Sequence, residues 1–361
     1  MSIEESFDES DLFKKNDYKW TDFLSEIILK KKSSQPHIYL EGLTIKRNLT
    51  IESISGMRRD INVIFSNCTF NGILKSSPNN RINLEFKNNC TFDAAVTIIL
   101  NQQSKSVLFE NCTFNSSFEM LIRDYIRFAH KMTNCIFNGI ANFGEGKYVN
   151  HLTLDDSIFN HSLPNLRYCT LEKELNLHTI GINETEIVKK FLKDTKEKKE
   201  NWIPDLARDL KLKAANLNDH LREMDFFAIE SQTRAITHGG WSKFISSAYK
   251  SLSNYGRSIG RPVVIWFIIL LLTIVINSGI ALSNKKSKEN YFDDVLVISL
   301  KNSLPLTLGF NKETVKQAYK VVFQADDPPI CYQLFRLILV GFNLFLWFIF
   351  FLAIRNRFKM G

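Results

Sequence analysis

The sequence predicts a mixed fold: a parallel β-solenoid (β-helix), then a helical linker, then a two-span α-helical membrane domain holding a short re-entrant helix. Three observations carry this reading. The motif NCTFNG at Asn67–Gly72 returns as NCTFDA at Asn89–Ala94 and NCTFNS at Asn111–Ser116, with looser copies at Asn134–Gly139 and Asp156–His161. After the copies stop, apolar residues recur at spacings of three and four. The C-terminal part then holds two long apolar runs. The expected boundaries are an N-terminal cap segment over 1–36, the solenoid over 37–182, the linker over 183–254 and the membrane domain over 255–361.

The motif phenylalanines Phe70, Phe92, Phe114, Phe137 and Phe159 recur about every 22 residues, a solenoid-type period. Alternating apolar pairs precede most copies, as in Val63/Phe65, Leu84/Phe86 and Val107/Phe109, which is a strand signal. One repeat therefore reads as a short strand, a turn at Asn, a second strand on the motif and a further turn. A single coil cannot bury its own apolar face, but stacked coils share a core. Phe70, Phe92, Phe114, Phe137 and Phe159 are then core residues of the solenoid, with Cys68, Cys90, Cys112 and Cys135 as small inward partners. Asn at the corner suits positive φ.

Two other readings of the motif compete. The N-terminal stretch MSIEESFDESDLFKKNDYKW has no apolar core of a secretory signal, so the expectation is cytosolic. Cysteines there stay reduced, and these four lack the CxxC pairing of zinc sites. The sequons that begin at Asn67, Asn89 and Asn111 matter only in a secreted chain and follow from the repeat itself.

A small residue, any residue, then Phe or Leu, with Asn or Asp near the corner, resembles the pentapeptide-repeat proteins. Cys68/Phe70, Cys90/Phe92, Cys112/Phe114, Cys135/Phe137 and Ser157/Phe159 carry the likeness, with Cys169/Leu171 as a degenerate sixth pair. The resemblance spans roughly residues 60–180 and implies a quadrilateral β-helix that serves as an interaction surface. A period of about 22 and one clean face per coil point to an irregular rather than a square form.

In the linker, Ile187, Phe191 and Leu192 share a face of one helix. Pro204 then opens a longer run with Leu206, Leu210, Leu217, Leu221, Met224 and Phe227 at helical spacing. Asp219, His220, Glu223 and Asp225 cluster there without the spacing of a metal motif, and read as a solvated polar face. No phosphate loop, nucleophile elbow or framed carboxylate pair is legible, so the expectation is no enzyme and no cofactor. The formal net charge is +8 among 361 residues, with 23% charged. Because the hydrophobic content is so uneven, the basic excess suits a membrane surface, and no nucleic-acid partner is expected.

The run from Pro262 to Leu282 holds no charged residue and is long enough to cross a bilayer, as is the run Leu337–Ile354. Two spans place both termini on one side, expected to be the cytoplasmic side of the inner membrane. Between them, the segment Asn290–Leu304 is apolar after Asp293 and Asp294 but too short to cross, so it reads as a re-entrant or interfacial helix ending at Pro305. The order of span, short helix, loop and span resembles the pore module of potassium channels. Thr307, Leu308, Gly309 and Phe310 stand where that family carries its TVGYG filter, with Asn311 in place of the last glycine. That resemblance implies an oligomeric pore, a homotetramer favoured, with the short helix as a pore helix and Asn343 facing the lumen. The alternative is a membrane-anchored scaffold that does not conduct, with Asn343 as a helix-packing hydrogen bond. In either case the partners are the bilayer, further copies of the chain and a cytosolic partner or signal on the solenoid. The sensor-plus-pore arrangement matches the logic of defence or stress effectors.

Overall fold

The computed structural model describes residues 37–46, 48–51, 61–76, 82–100, 104–122, 129–144, 146–148, 152–171, 176–197, 202–283, 291–304, 311–325 and 327–358. The chain divides into two compact units, Met1–Thr233 and Arg234–Gly361.

The first unit contains a parallel β-solenoid of about five turns. Strands from successive coils pair in parallel into three sheets. The first runs from His37–Glu41 to Leu152–Thr153, and the second from Thr44–Ile45 to Gly181–Ile182. The third runs from Leu49–Ile51 to Ala141–Asn142. The repeat motif forms the second sheet, where Phe70 pairs with Phe92, Phe92 with Phe114, Phe114 with Phe137 and Phe137 with Phe159. Like therefore stacks on like. The phenyl rings lie parallel, with centroids 4.7 to 4.9 Å apart, close to the spacing of paired strands. A second column, Phe65, Phe86 and Phe109, stacks at 5.0 and 4.8 Å and meets the first edge-on.

The corner is built as its residues require. Asn67, Asn89, Asn111, Asn134 and Asp156 all adopt positive φ, between 51° and 68°, a region that Asn and Asp tolerate better than most side chains. The third strand of each coil has no counterpart in the repeat motif. Its inward residues, such as Leu74, Val96 with Ile98, and Phe118 with Met120, are buried but differ from coil to coil. The pair Cys169/Leu171 is not a sixth rung. Cys169–Leu171 pairs with Gly146–Tyr148 in a separate two-stranded sheet, and the next rung after Phe159 is Ile182.

Eight helices follow among the described residues. The first three are α1 (Glu184–Lys196), α2 (Ile203–Asn216) and α3 (His220–His238). Asn183 caps α1 by accepting the Glu186 amide proton, and Ile187 and Phe191 are buried while Leu192 is exposed. The long apolar run breaks at Asn218, which takes φ 57° and resets the helical face. Leu221 consequently points outward, and Phe226, Ala228 and Ile229 are buried in its stead.

The second unit holds α4 (Gly240–Ser253), α5 (Gly260–Ser283), α6 (Phe292–Ser303), α7 (Lys312–Phe323) and α8 (Ile330–Phe358). Two stretches, Gly260–Ser283 and Ile330–Arg355, are long and apolar enough to span a membrane. Few of the residues in each are buried within the chain. The helix α7 is additional to the sequence reading. Asn311, which stands in the place of the filter's last glycine, caps it by accepting the Glu313 amide proton. Its inward residues Val315, Ala318, Tyr319 and Val322 pack with Val295 and Ile298 of α6, Ala281 of α5 and Tyr332 of α8.

Candidate functional site

The solenoid core residues expected from the motif, Cys68, Phe70, Cys90, Phe92, Cys112, Phe114, Cys135, Phe137 and Phe159, lie in its interior at 0 or 1% exposure. The thiols are hydrogen-bonded as well as packed. Cys90 Sγ donates to the Phe65 carbonyl at 3.4 Å, Cys112 to Phe86 at 3.4 Å and Cys135 to Phe109 at 3.5 Å. Ser157 takes the same place in the next coil, its Oγ donating to the Met132 carbonyl at 3.2 Å. Burial holds the Cys112 thiol well above its usual value and pushes Cys169 up to about 12. Thiol contacts from Cys112 and Cys68 pull Cys90 downward against desolvation, and the contact with Cys90, together with burial, raises Cys68. Such thiols are inert.

Among the described lumen residues, one basic side chain departs from the apolar pattern. His130 takes the place that Val107 and Leu152 occupy in neighbouring coils and is fully buried. Its Nδ1 accepts the Val107 amide proton at 3.3 Å, and Nε2 has no partner among the described residues. Burial lowers its pKa to about 3, so it is neutral. The polar residues of α3 satisfy each other locally: His220 Nδ1 lies 2.9 Å from Glu223 and Arg222 bonds Asp225 at 3.3 Å. Among the described residues no group of His, Cys, Asp and Glu is arranged to hold a metal ion.

The polar residues that do converge lie in the second unit. Asn277 of α5 donates from Nδ2 to Ser299 Oγ of α6 at 2.9 Å, and its Oδ1 accepts the Tyr332 hydroxyl of α8 at 2.8 Å. Asn302 Nδ2 donates to the same hydroxyl at 3.1 Å. Asn343 Nδ2 donates to the Asn302 carbonyl at 3.2 Å, and Trp266 Nε1 to the Ser303 carbonyl at 2.8 Å. Asn277, Ser299, Asn302, Ser303 and Asn343 are all essentially inaccessible. Asn302 Oδ1, Ser303 Oγ and Asn343 Oδ1 have no donor among the described residues.

Asn343 lies half-way along the stretch Ile330–Arg355, about 20 Å from its first residue at 1.5 Å per residue. The C-terminal end of α6 therefore meets α8 near the middle of that stretch. There it presents neutral acceptor oxygens, without a charged group or a nucleophile–base pair among the bonded members. Neutral oxygens can replace water around a monovalent ion or hold water itself. Of the pore residues read from the sequence, Asn343 belongs to this cluster, while Thr307, Leu308, Gly309 and Phe310 lie outside the described residues. Asn277 is a member of the cluster that the sequence reading missed, and its signal was available: like Asn343, it is a polar amide inside an uncharged apolar run. No family model, no curated protein and no solved structure matches this chain.

Proposed function

We propose that the protein is an oligomeric membrane pore in the inner membrane, gated or targeted through its cytosolic solenoid, with both termini cytoplasmic. The observation that supports it is the bond from Asn343 to the Asn302 carbonyl, beside the middle of the second span. A helix ending at that depth leaves its last carbonyls and the following chain without intrahelical partners. In hydrocarbon, irregular backbone is tolerated only where it is covered by protein or lines a water-filled space. On this reading α6 is a re-entrant pore helix, and 307–310 lines the conduit it leads to. Two spans from one chain cannot enclose a pore, so several copies must assemble, and the potassium-channel resemblance favours four. The solenoid binds a partner or signal, and the helices that follow it in sequence transmit the event. That is the logic of a defence or stress effector.

A second reading, a membrane-anchored scaffold without conduction, has its own support. The helix α7 interrupts the expected order of span, helix, loop and span, and Asn343 already has a helix-packing partner. Ion flux into liposomes holding purified protein separates the two. Under the pore reading flux is measurable, and Asn343→Leu or Gly309→Val changes it strongly while the oligomer persists. A sealed bilayer with a confirmed oligomer, before and after exposure to lysate from stressed cells, leaves the scaffold.

A further inference from the structure

The helix α4 carries an apolar face that its own unit leaves uncovered. Trp241 is 79% exposed, Phe244 65% and Ile245 63%. With Ala248 and Leu252 they fall within one arc of about 100° on a helix of 3.6 residues per turn. Lys243 and Lys250 occupy the opposite arc. A third arc faces inward: Ser246 Oγ lies 2.8 Å from the Tyr255 hydroxyl, Tyr249 meets the Tyr255 ring edge-on at 5.6 Å, and Ser253 is buried.

The connection to the first span sets the level of this helix. Asn254, Tyr255 and Gly256 take φ of 51°, 59° and 81° in succession. An aromatic residue in that region is held there by its surroundings, and Tyr255 is 1% exposed. Arg261, in the first turn of α5, donates from Nη1 to the Lys250 carbonyl at 3.2 Å. Burial raises the Tyr249 hydroxyl pKa, and Arg355, at the far end of the second candidate span, opposes that rise through space. α4 packs against both α5 and α8. It therefore sits where the first span begins and the second ends.

We propose that α4 lies flat in the membrane interface on the side of the two chain termini, with Trp241, Phe244 and Ile245 inserted at the boundary of headgroups and acyl chains. Arg257, Arg261 and Arg355 then stand at headgroup level, and Lys243 and Lys250 face water. The occupant of the apolar face is the bilayer, because the span against which α4 packs also exposes apolar side chains, including Val264, Phe267 and Ile268. A lone amphipathic helix with a tryptophan on its apolar face and lysines on its polar face has the composition for this position. The inference rests on the two spans lying in a bilayer and not on conduction.

The test places an environment-sensitive fluorophore at three sites, one per variant, in full-length protein carrying Cys331→Ser, which removes the one exposed native thiol. The sites are Ile245→Cys on the apolar face, Lys243→Cys on the polar face and Leu272→Cys on the exposed surface of α5. Each protein is reconstituted in phosphatidylcholine–phosphatidylglycerol vesicles whose lipids carry a nitroxide either near the headgroup or deep in the chain. The expected result is blue-shifted emission at 245, lost with the shallow nitroxide, a water-like signal at 243, and quenching at 272 by the deep one. A water-like signal at 245 beside a quenched 272 overturns the interfacial helix and leaves the spans in place. Blue-shifted emission at 245 that no nitroxide quenches assigns the face to protein, a second copy included, and overturns it as well. An unquenched 272 removes the spans themselves, and α4 with them.

Discussion

The solenoid and the second unit satisfy polar groups in opposite ways. In the solenoid, polar partners are copies of one another. Asn115 Nδ2 donates to Asp93 Oδ1 at 2.7 Å, Asn138 to Asn115 at 2.9 Å and Asn160 to Asn138 at 2.8 Å, while cysteines and Ser157 repeat one bond to the carbonyl of the preceding coil. Translation along the axis satisfies each rung in the same way, so no rung is unique. In the second unit each partner is singular. Asn277, Ser299, Tyr332, Asn302 and Asn343 come from three helices, and three acceptors at the end of their chain remain without donors among the described residues. Repetition secures stability in the first region. Singularity leaves open chemistry in the second.

Substitutions that break the repetition should have the largest effect. Phe114→Asp places an unpaired charge between Phe92 and Phe137 and should unfold the solenoid, whereas Phe114→Ala should cost about 3–5 kcal/mol through lost burial and a cavity. Thermal melting followed by the β-sheet circular dichroism of the full chain measures both. A melt unchanged from the native protein would remove the lumen register.

Acid should act on the buried histidine of the lumen. His130 is near pKa 3 when folded and about 6.5 when unfolded, so the unfolded chain takes up a proton first as pH falls. The stability is intact above about pH 6.5 and declines from there toward pH 3, a loss of about 2 kcal/mol at pH 5. In His130→Gln, which keeps an acceptor for the Val107 amide, the stability–pH curve should be flatter over that window. Parallel curves for the two proteins would mean that His130 is solvated in solution.

The singular network should respond more weakly than the core. Tyr332→Phe removes the hydroxyl that joins Asn277 to Asn302 and should cost about 1 kcal/mol, the scale of interhelical hydrogen bonds in membranes. Unfolding in mixed micelles reads it, and a cost equal to that of Phe114→Ala would show the polar chain to be the dominant contact of its unit. The smallest effect belongs to the rungs. Cys112→Ser should cost under about 1 kcal/mol, because serine makes the same bond at position 157. A thiol reagent should label the native protein in detergent quickly at Cys331 and slowly at the five buried cysteines. Fast labelling at Cys112 would open the ladder to solvent.

The motif sheet was legible because its information is repeated: a positive-φ Asn, a small donor and a ring recur at one register, and stacking turns each copy into its neighbour's partner. The third sheet was not, because Leu74, Val96 and Phe118 fill a lumen that asks only for apolar volume. Cys169/Leu171 misled for the complementary reason, since spacing without the preceding corner Asn does not bring a strand into the ladder. Asn343 stood out in the second span, but its partner did not, because a carbonyl of Asn302 carries no side-chain signal.

The sequence by itself determined the solenoid's period, its Phe and Cys columns, the helical character of the middle and two helices long and apolar enough to span a membrane, all of which follow from local pattern and length. Only the tertiary structure decided that a further helix, α7, precedes α8, that α6 ends against the middle of α8, and that Asn277, Tyr332, Asn302 and Asn343 form one chain of hydrogen bonds. Those depend on how helices far apart in sequence are rotated about their axes, and rotation is set by packing at every contact at once rather than by any one segment.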